Sequence, residues 1–129
     1  MKPEELIARA VEVRENACAS YSHYKVGAAL LASSGKVYTG CNVENSTYGL
    51  TVCAERVALW KALSEGERTF TQIAVVTSSE PPASPCGACR QLLWEYCGDM
   101  EVILANLQGF RKTIRLAEIF PRPFDQSSL

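Results

Sequence analysis

Long stretches of one kind are missing from this sequence. No run of like charge occurs, and 13 Lys and Arg against 14 Asp and Glu leave a formal net charge of −1. A polyanion finds no basic track to follow, which argues against a nucleic-acid partner. No apolar stretch approaches the ~20 residues that a membrane span requires, so no membrane association is expected. Met1 to Arg14 is broken up by Lys2, Glu4, Glu5, Arg9, Glu12 and Arg14 and has no apolar core for a signal peptide. The expectation is a cytoplasmic protein with reduced thiols. There is no internal repeat, linker or low-complexity segment. At 129 residues and 47% hydrophobic the chain can bury one real core but not two, so residues 1–129 are expected to form a single domain.

What the sequence does have is six cysteines. A disulfide framework would need a secreted context, which the N-terminus does not supply. The thiols must therefore be placed on elements before they can be interpreted. Leu6, Ala10, Val13 and Ala17 recur at helical spacing after Pro3, which predicts an amphipathic helix lying on the outside of a sheet. Residues 25–32 and 36–41 are strand-like and joined across Ser33-Ser34-Gly35, an antiparallel hairpin signal. Residues 42–49 are polar and read as a loop. The segment 52–65 lacks Pro and Gly and should be a helix, apolar around most of its circumference and therefore buried on several sides or placed at a subunit interface. A strand over 71–77 follows, then a loop through Ser78-Ser79-Glu80-Pro81-Pro82. Ser84 is expected to cap the next helix, with Pro85 in its first position. Strands over 101–105 and 112–116, turning at Gln108-Gly109, complete the pattern. Strands alternating with helices predict an α/β fold on a mixed sheet of about five strands.

On these elements Cys86 and Cys89 stand three apart at a helix start, on one face of a first turn where the helix dipole favours thiolates. Cys53 opens the other helix. Three soft ligands leave a fourth position for water, the pattern of a catalytic zinc, whereas a structural zinc takes four protein ligands. Cys18, Cys41 or Cys97 could supply such a fourth thiolate; here they are read as core fillers. Glu55 lies two residues past Cys53, roughly 200° around a helix, and reaches a metal only if the pair sits in the first turn, where side chains lean back past the helix end.

Cys53-Ala54-Glu55 followed by Pro85-Cys86-Gly87-Ala88-Cys89 resembles the zinc deaminase signature, in the branch where Cys replaces the His of the His-x-Glu pattern. Tyr21-Ser22-His23-Tyr24, Val26-Gly27-Ala28-Ala29, Asn42-Val43-Glu44-Asn45 and Tyr48-Gly49 extend the likeness to the small homotetrameric cytidine deaminases over nearly the whole chain. That resemblance implies a three-layer α/β/α sandwich and one zinc ion per subunit on Cys53, Cys86 and Cys89. It implies catalysis by Glu55, with cytidine and 2′-deoxycytidine as small-molecule nucleoside substrates. It also implies substrate contacts from Asn42, Val43 and Glu44 (ribose), from Tyr24 (an aromatic beside the base, more often Phe) and from Ala54. Phe124 would reach into a neighbouring subunit's site. Arg56 would hydrogen-bond the thiolate ligands and withdraw charge from them, with Arg90 a second candidate for that work. Two departures, Ser46-Thr47 and the ending Ile119-Phe120-Pro121-Arg122-Pro123-Phe124, fall away from the metal. The rival readings are a deaminase of a modified cytosine nucleoside such as blasticidin S, a nucleic-acid editor, a zinc module without catalysis and a thioredoxin-like thiol enzyme.

Overall fold

The computed structural model describes residues 1–129. Its elements run α1 (Pro3–Arg14), β1 (Gly27–Ala32), β2 (Val37–Cys41), α2 (Ala54–Ser64), β3 (Phe70–Thr77), α3 (Gly87–Cys97), β4 (Glu101–Asn106), β5 (Arg111–Arg115) and α4 (Leu116–Ile119). The five strands form one sheet in the order β2-β1-β3-β4-β5. Only β3 and β4 are parallel, with α3 as their crossover; β1 runs antiparallel to β2 and β3, and β5 antiparallel to β4.

The alternation of side chains along the strands splits the core in two. Ala29, Ala74, Val76, Ile103 and Ala105 meet Leu6 and Ala10 of α1 on one face. Ala28, Leu30, Ile73, Val75, Val102 and Leu104 meet Ala58, Leu59 and Ala62 of α2 and Leu93 of α3 on the other. Helices thus cover both faces, and the expected α/β/α sandwich is the observed one.

The strands facing α1 carry many small residues, which lets that helix approach closely. Gly27 takes this furthest, since a Cβ there would stand 2.0 Å from the carbonyl oxygen of Ala10. Gly40 does the same for α2, where a Cβ would lie 2.5 Å from Ala54 O and from Ala58 N. One expectation needs correction here. The buried stripe of α1 is Leu6, Ala10 and Arg14, and the helix stops at Arg14, short of Ala17. An apolar count passes over Arg14, yet its Nε donates to Lys25 O at 3.0 Å and anchors the approach to β1. Within the chain, α2 buries one side only: Ala54, Glu55, Ala58, Leu59 and Ala62 are covered, while Trp60 is 49% exposed.

Candidate active site

One edge of the sheet gathers the chemistry. Because β1 is antiparallel to both its neighbours, the chain entering β1, the chain leaving β2 and the chain leaving β3 all meet there. Tyr24 and Val26 precede β1, Asn42 and Glu44 follow β2, and Thr77 ends β3. The N-termini of α2 and α3 point to the same edge. Between them lies a cavity of about 260 Å³, close to the lower end of small-molecule pockets.

Cys53 and Cys86 are the N-cap residues of α2 and α3, and Cys89 occupies the third helical position of α3. Neither cap makes the side-chain hydrogen bond that Ser or Asp would make, which leaves both sulfurs free for other work. The three sulfurs lie within 4.8 Å of one another. Cys53 Sγ and Cys86 Sγ are 3.8 Å apart, far beyond a disulfide bond. That separation matches the roughly 3.8 Å edge of a tetrahedron built on zinc–sulfur bonds of about 2.3 Å. The donor set therefore fits one zinc ion.

Arg56 Nη2 donates to Cys53 Sγ at 3.5 Å, and its Nε is buried without a partner. Hydrogen bonds from the Cys89 thiol, Arg56 and Cys86 pull the Cys53 thiol down to about 5. The Cys89 thiol is pushed up, first by its hydrogen bond to Cys53 and then by burial and the nearby Glu55. Without metal one thiolate is favoured at a time; a dication reverses this by pairing with all three.

Glu55 stands at the second position of α2, directly after the N-cap and Ala54, and is 5% exposed. Since Cys53 is the cap and not an interior residue, the two side chains share one helix end in spite of their spacing. Burial raises the Glu55 carboxyl to about 7, reinforced by the Cys53 charge and opposed by a backbone hydrogen bond and Arg56. This shift has a thermodynamic consequence in metal-stripped protein. A carboxyl at about 7 folded and 4.5 unfolded costs nothing below pH 4.5, where both states are protonated, and about 3 kcal/mol above pH 7, where both are ionised. Glu55→Gln should thus raise the melting temperature of the metal-free protein by roughly 10 °C at pH 8 and leave it unchanged at pH 4. A pH-independent difference in thermal melts would contradict the buried-charge origin.

At the far end of the cavity Glu44 is held in place by main chain. Its Oε1 accepts from the amides of Tyr21 and Ser22 at 3.0 Å each, and its Oε2 accepts from the Ser22 hydroxyl. These bonds, the Ser22 hydroxyl first, hold the carboxyl below its usual range. Asn42 is buried; its Oδ1 accepts from Val26 N and its Nδ2 donates to Tyr24 O, both at 2.8 Å. One N–H of the amide remains available.

The structure thus brings Cys53, Cys86, Glu55, Ala54, Asn42, Glu44 and Tyr24 to one cavity, with Cys89 buried beside it. Val43 is not among the lining residues; its backbone pairs with Val52 in both directions at 3.0 Å. Phe124 lies away from this cavity, 61% exposed, its carbonyl accepting from Gln91 Nε2 at 2.8 Å. Arg90 does not touch a sulfur. It donates to Pro85 O and Ser84 Oγ at 2.7 Å each and to Ile119 O at 2.6 Å. One of those bonds engages the Ser84 hydroxyl; the cap is Cys86 and α3 opens at Gly87, two residues later than expected. Cys18, Cys41 and Cys97 stay outside the sulfur cluster, and Cys18 is exposed rather than a core filler. Ser22, Val26, Thr51, Val52, Val75, Thr77, Ala83 and Ser84 complete the cavity lining, and of these only Ser84, as an expected helix cap, carried an individual signal in the sequence.

A sulfur triad at two helix ends, with a buried carboxylic acid beside it, defines a metal-dependent hydrolase centre. Residues 1–106 match the family described as cytidine and deoxycytidylate deaminase zinc-binding region, and the chain belongs to that family. It is 49% identical over 130 residues to a cytidine deaminase of Sporosarcina psychrophila, covering 100% of this chain and 96% of that one. A crystal structure of cytidine deaminase from Burkholderia pseudomallei superposes with a TM-score of 0.92 at 48% identity, covering 96% of this chain and 100% of the other. A blasticidin-S deaminase of Bacillus cereus is more distant, 29% identical over 112 residues, covering 81% of this chain and 79% of that one.

Proposed function

We propose that this chain hydrolyses cytidine and 2′-deoxycytidine to uridine and 2′-deoxyuridine with release of ammonia. The observation that carries this reading is the buried Glu55 carboxyl at the mouth of the three-sulfur cluster, with Glu44 preset at the other end of the same cavity. Cys53, Cys86 and Cys89 would hold one zinc ion, which supplies a Lewis acid that eases the ionisation of water at neutral pH. Glu55 takes one proton from the attacking water as its oxygen adds to C4 of the base. It passes that proton to N3. The second proton of the same water then moves from the new C4 hydroxyl to the amine, the C4–N bond breaks and ammonia leaves with uridine behind. A carboxyl raised by burial suits a group that must both take and return a proton.

Asn42 and Glu44 would hold the ribose 3′-hydroxyl, Asn42 with its remaining N–H and Glu44 with carboxylate lone pairs fixed by two amides. Nothing in that contact requires a 2′-hydroxyl. Tyr24 and Ala54 would line the base. Val43 would contribute through the backbone that positions its two neighbours.

Three thiolates leave the metal centre net negative, and the Arg56 hydrogen bond to Cys53 Sγ offsets part of that charge. Arg56→Gln should lower kcat about 10- to 100-fold while circular dichroism and zinc content stay close to wild type. Wild-type turnover in the pure, zinc-loaded variant would end this assignment.

Self-association, as a homotetramer, is part of the same reading. Trp60 and Phe124 leave large apolar surfaces open, 49% and 61% exposed, of the kind a second copy covers. Phe124 would then complete a neighbour's site, and the mass in solution tests this. We place the enzyme in the cytoplasm, in the salvage of pyrimidine nucleosides, with residues 1–129 acting as one domain and with neither nucleic acid nor membrane as partner. Ammonia release from cytidine and 2′-deoxycytidine, with little from blasticidin S, is the result expected of this function. Release from blasticidin S alone would replace it.

A further inference from the structure

The chain between β3 and α3 forms one wall of the cavity and contributes Ala83, Ser84 and Cys86 to the lining. Arg90 holds its α3 end through Ser84 Oγ and Pro85 O, and hydroxyls hold the part nearer β3. The Ala83 amide donates to Thr77 Oγ1 at 3.3 Å, and Thr77 Oγ1 is 3.1 Å from Ser79 Oγ. Ser79 Oγ in turn shares a hydrogen bond with the Tyr24 hydroxyl at 2.8 Å, while Asn106 Nδ2 donates to Ser79 O at 3.3 Å. Tyr24 is anchored at its other end as well, since its amide donates to Ser22 Oγ at 3.1 Å and its carbonyl accepts from Asn42. Ser22 also binds Glu44. Hydrogen bonds on the two ends of Tyr24 therefore join the Glu44 end of the cavity to the 78–83 part of the wall, and the Tyr24 hydroxyl is the middle link. A Phe at this position would keep the ring and cut the link.

We propose that the Tyr24 hydroxyl is a positioning group that fixes the 78–83 part of this wall through Ser79 and thereby sets which ring-substituted cytosine nucleosides the site admits. The proposal rests on the nucleoside reading above. With C4 at the sulfur cluster and N3 at Glu55, C5 is the ring position on the far side of C4 from Glu55. A substituent on C5 then faces the wall that Tyr24 holds. A fixed wall rejects a methyl group there because packed atoms do not yield; a released wall can shift by the fraction of an ångström that admits it. The link is one neutral hydrogen bond, and the loss of one such bond changes an equilibrium about threefold to tenfold.

The test compares kcat/KM for cytidine and for 5-methylcytidine in zinc-loaded wild type, Tyr24→Phe, Ser79→Ala and the double variant. The preference for cytidine should fall about threefold to tenfold in each single variant, and the double should match Ser79→Ala, which already removes the Tyr24 link along with the bond to Thr77. Zinc content, which a general loosening of the fold would lower, should match wild type in all four. A preference within twofold of wild type in Tyr24→Phe, or full additivity in the double variant, overturns the proposal. Hydrogen exchange at the Ala83 amide supplies a readout that needs no substrate, and it should quicken in both single variants. If wild type deaminates neither nucleoside, the functional reading has failed and the exchange result decides the link: unchanged exchange overturns it, and faster exchange in both variants supports it.

Discussion

Glu55→Gln is expected to remove cytidine deamination by about 10⁴-fold or more while the variant still carries one zinc ion. General acid–base catalysis by one group contributes about 10² to 10⁴, and here one carboxyl performs two transfers, from water and to N3. Gln keeps the size and neutrality of the protonated acid, so the buried position at the start of α2 is still filled. It cannot take a proton. The sulfur cluster is untouched, because no bond from Glu55 to any of the three cysteines holds it together. Zinc by atomic absorption, together with turnover of cytidine, separates the two effects. Turnover within tenfold of wild type would assign the proton transfers to another group, and loss of zinc along with activity would make Glu55 a structural support of the metal.

Removing the metal is the second large effect. Cys89 is fully buried and Cys53 half-buried, so the site is built into the ends of α2 and α3 and is not an appendage of the surface. Chelation, or Cys89→Ala, should reduce deamination to background. It should also destabilise, because an ion bound only by the folded state contributes RT ln(1 + [L]/Kd), about 4 kcal/mol at a thousandfold excess over Kd. For a chain of 129 residues that is a fall in melting temperature on the order of 10 °C. Zinc returned to the chelated wild type should restore both properties, and zinc added to Cys89→Ala should restore neither in full. Full activity after exhaustive chelation would remove the metal from the mechanism. An unchanged melting temperature would show that α2 and α3 hold their places without it.

Much of this architecture was legible before the structure, for definite physical reasons. The sheet and its helices announce themselves because strand alternation and helical spacing are set by which side chains reach the core. The hairpin of β1 and β2 turns at Gly35 with φ 93°, a conformation that favours glycine. The metal cluster is legible because thiols at the starts of two helices have few structural uses in reduced protein. The less legible features depend on long-range hydrogen bonds. Arg14 belongs to the buried face of α1 only because Lys25 O lies across from it. Ser84 has the chemistry of a helix cap, but Arg90 takes its hydroxyl, and a sulfur ends up in the cap position instead. Nor does local sequence reveal that Tyr24 meets Ser79, which is 55 positions away. Trp60 marks a different limit, since its apolarity promises burial that the single chain does not provide.

The most direct test of the account is the fate of cytidine in water enriched in heavy oxygen, incubated with pure, zinc-loaded protein. The account predicts that uridine accumulates with the heavy atom at O4 and that one ammonia is released for each uridine formed. Cytidine left intact by protein whose zinc site is full would contradict it.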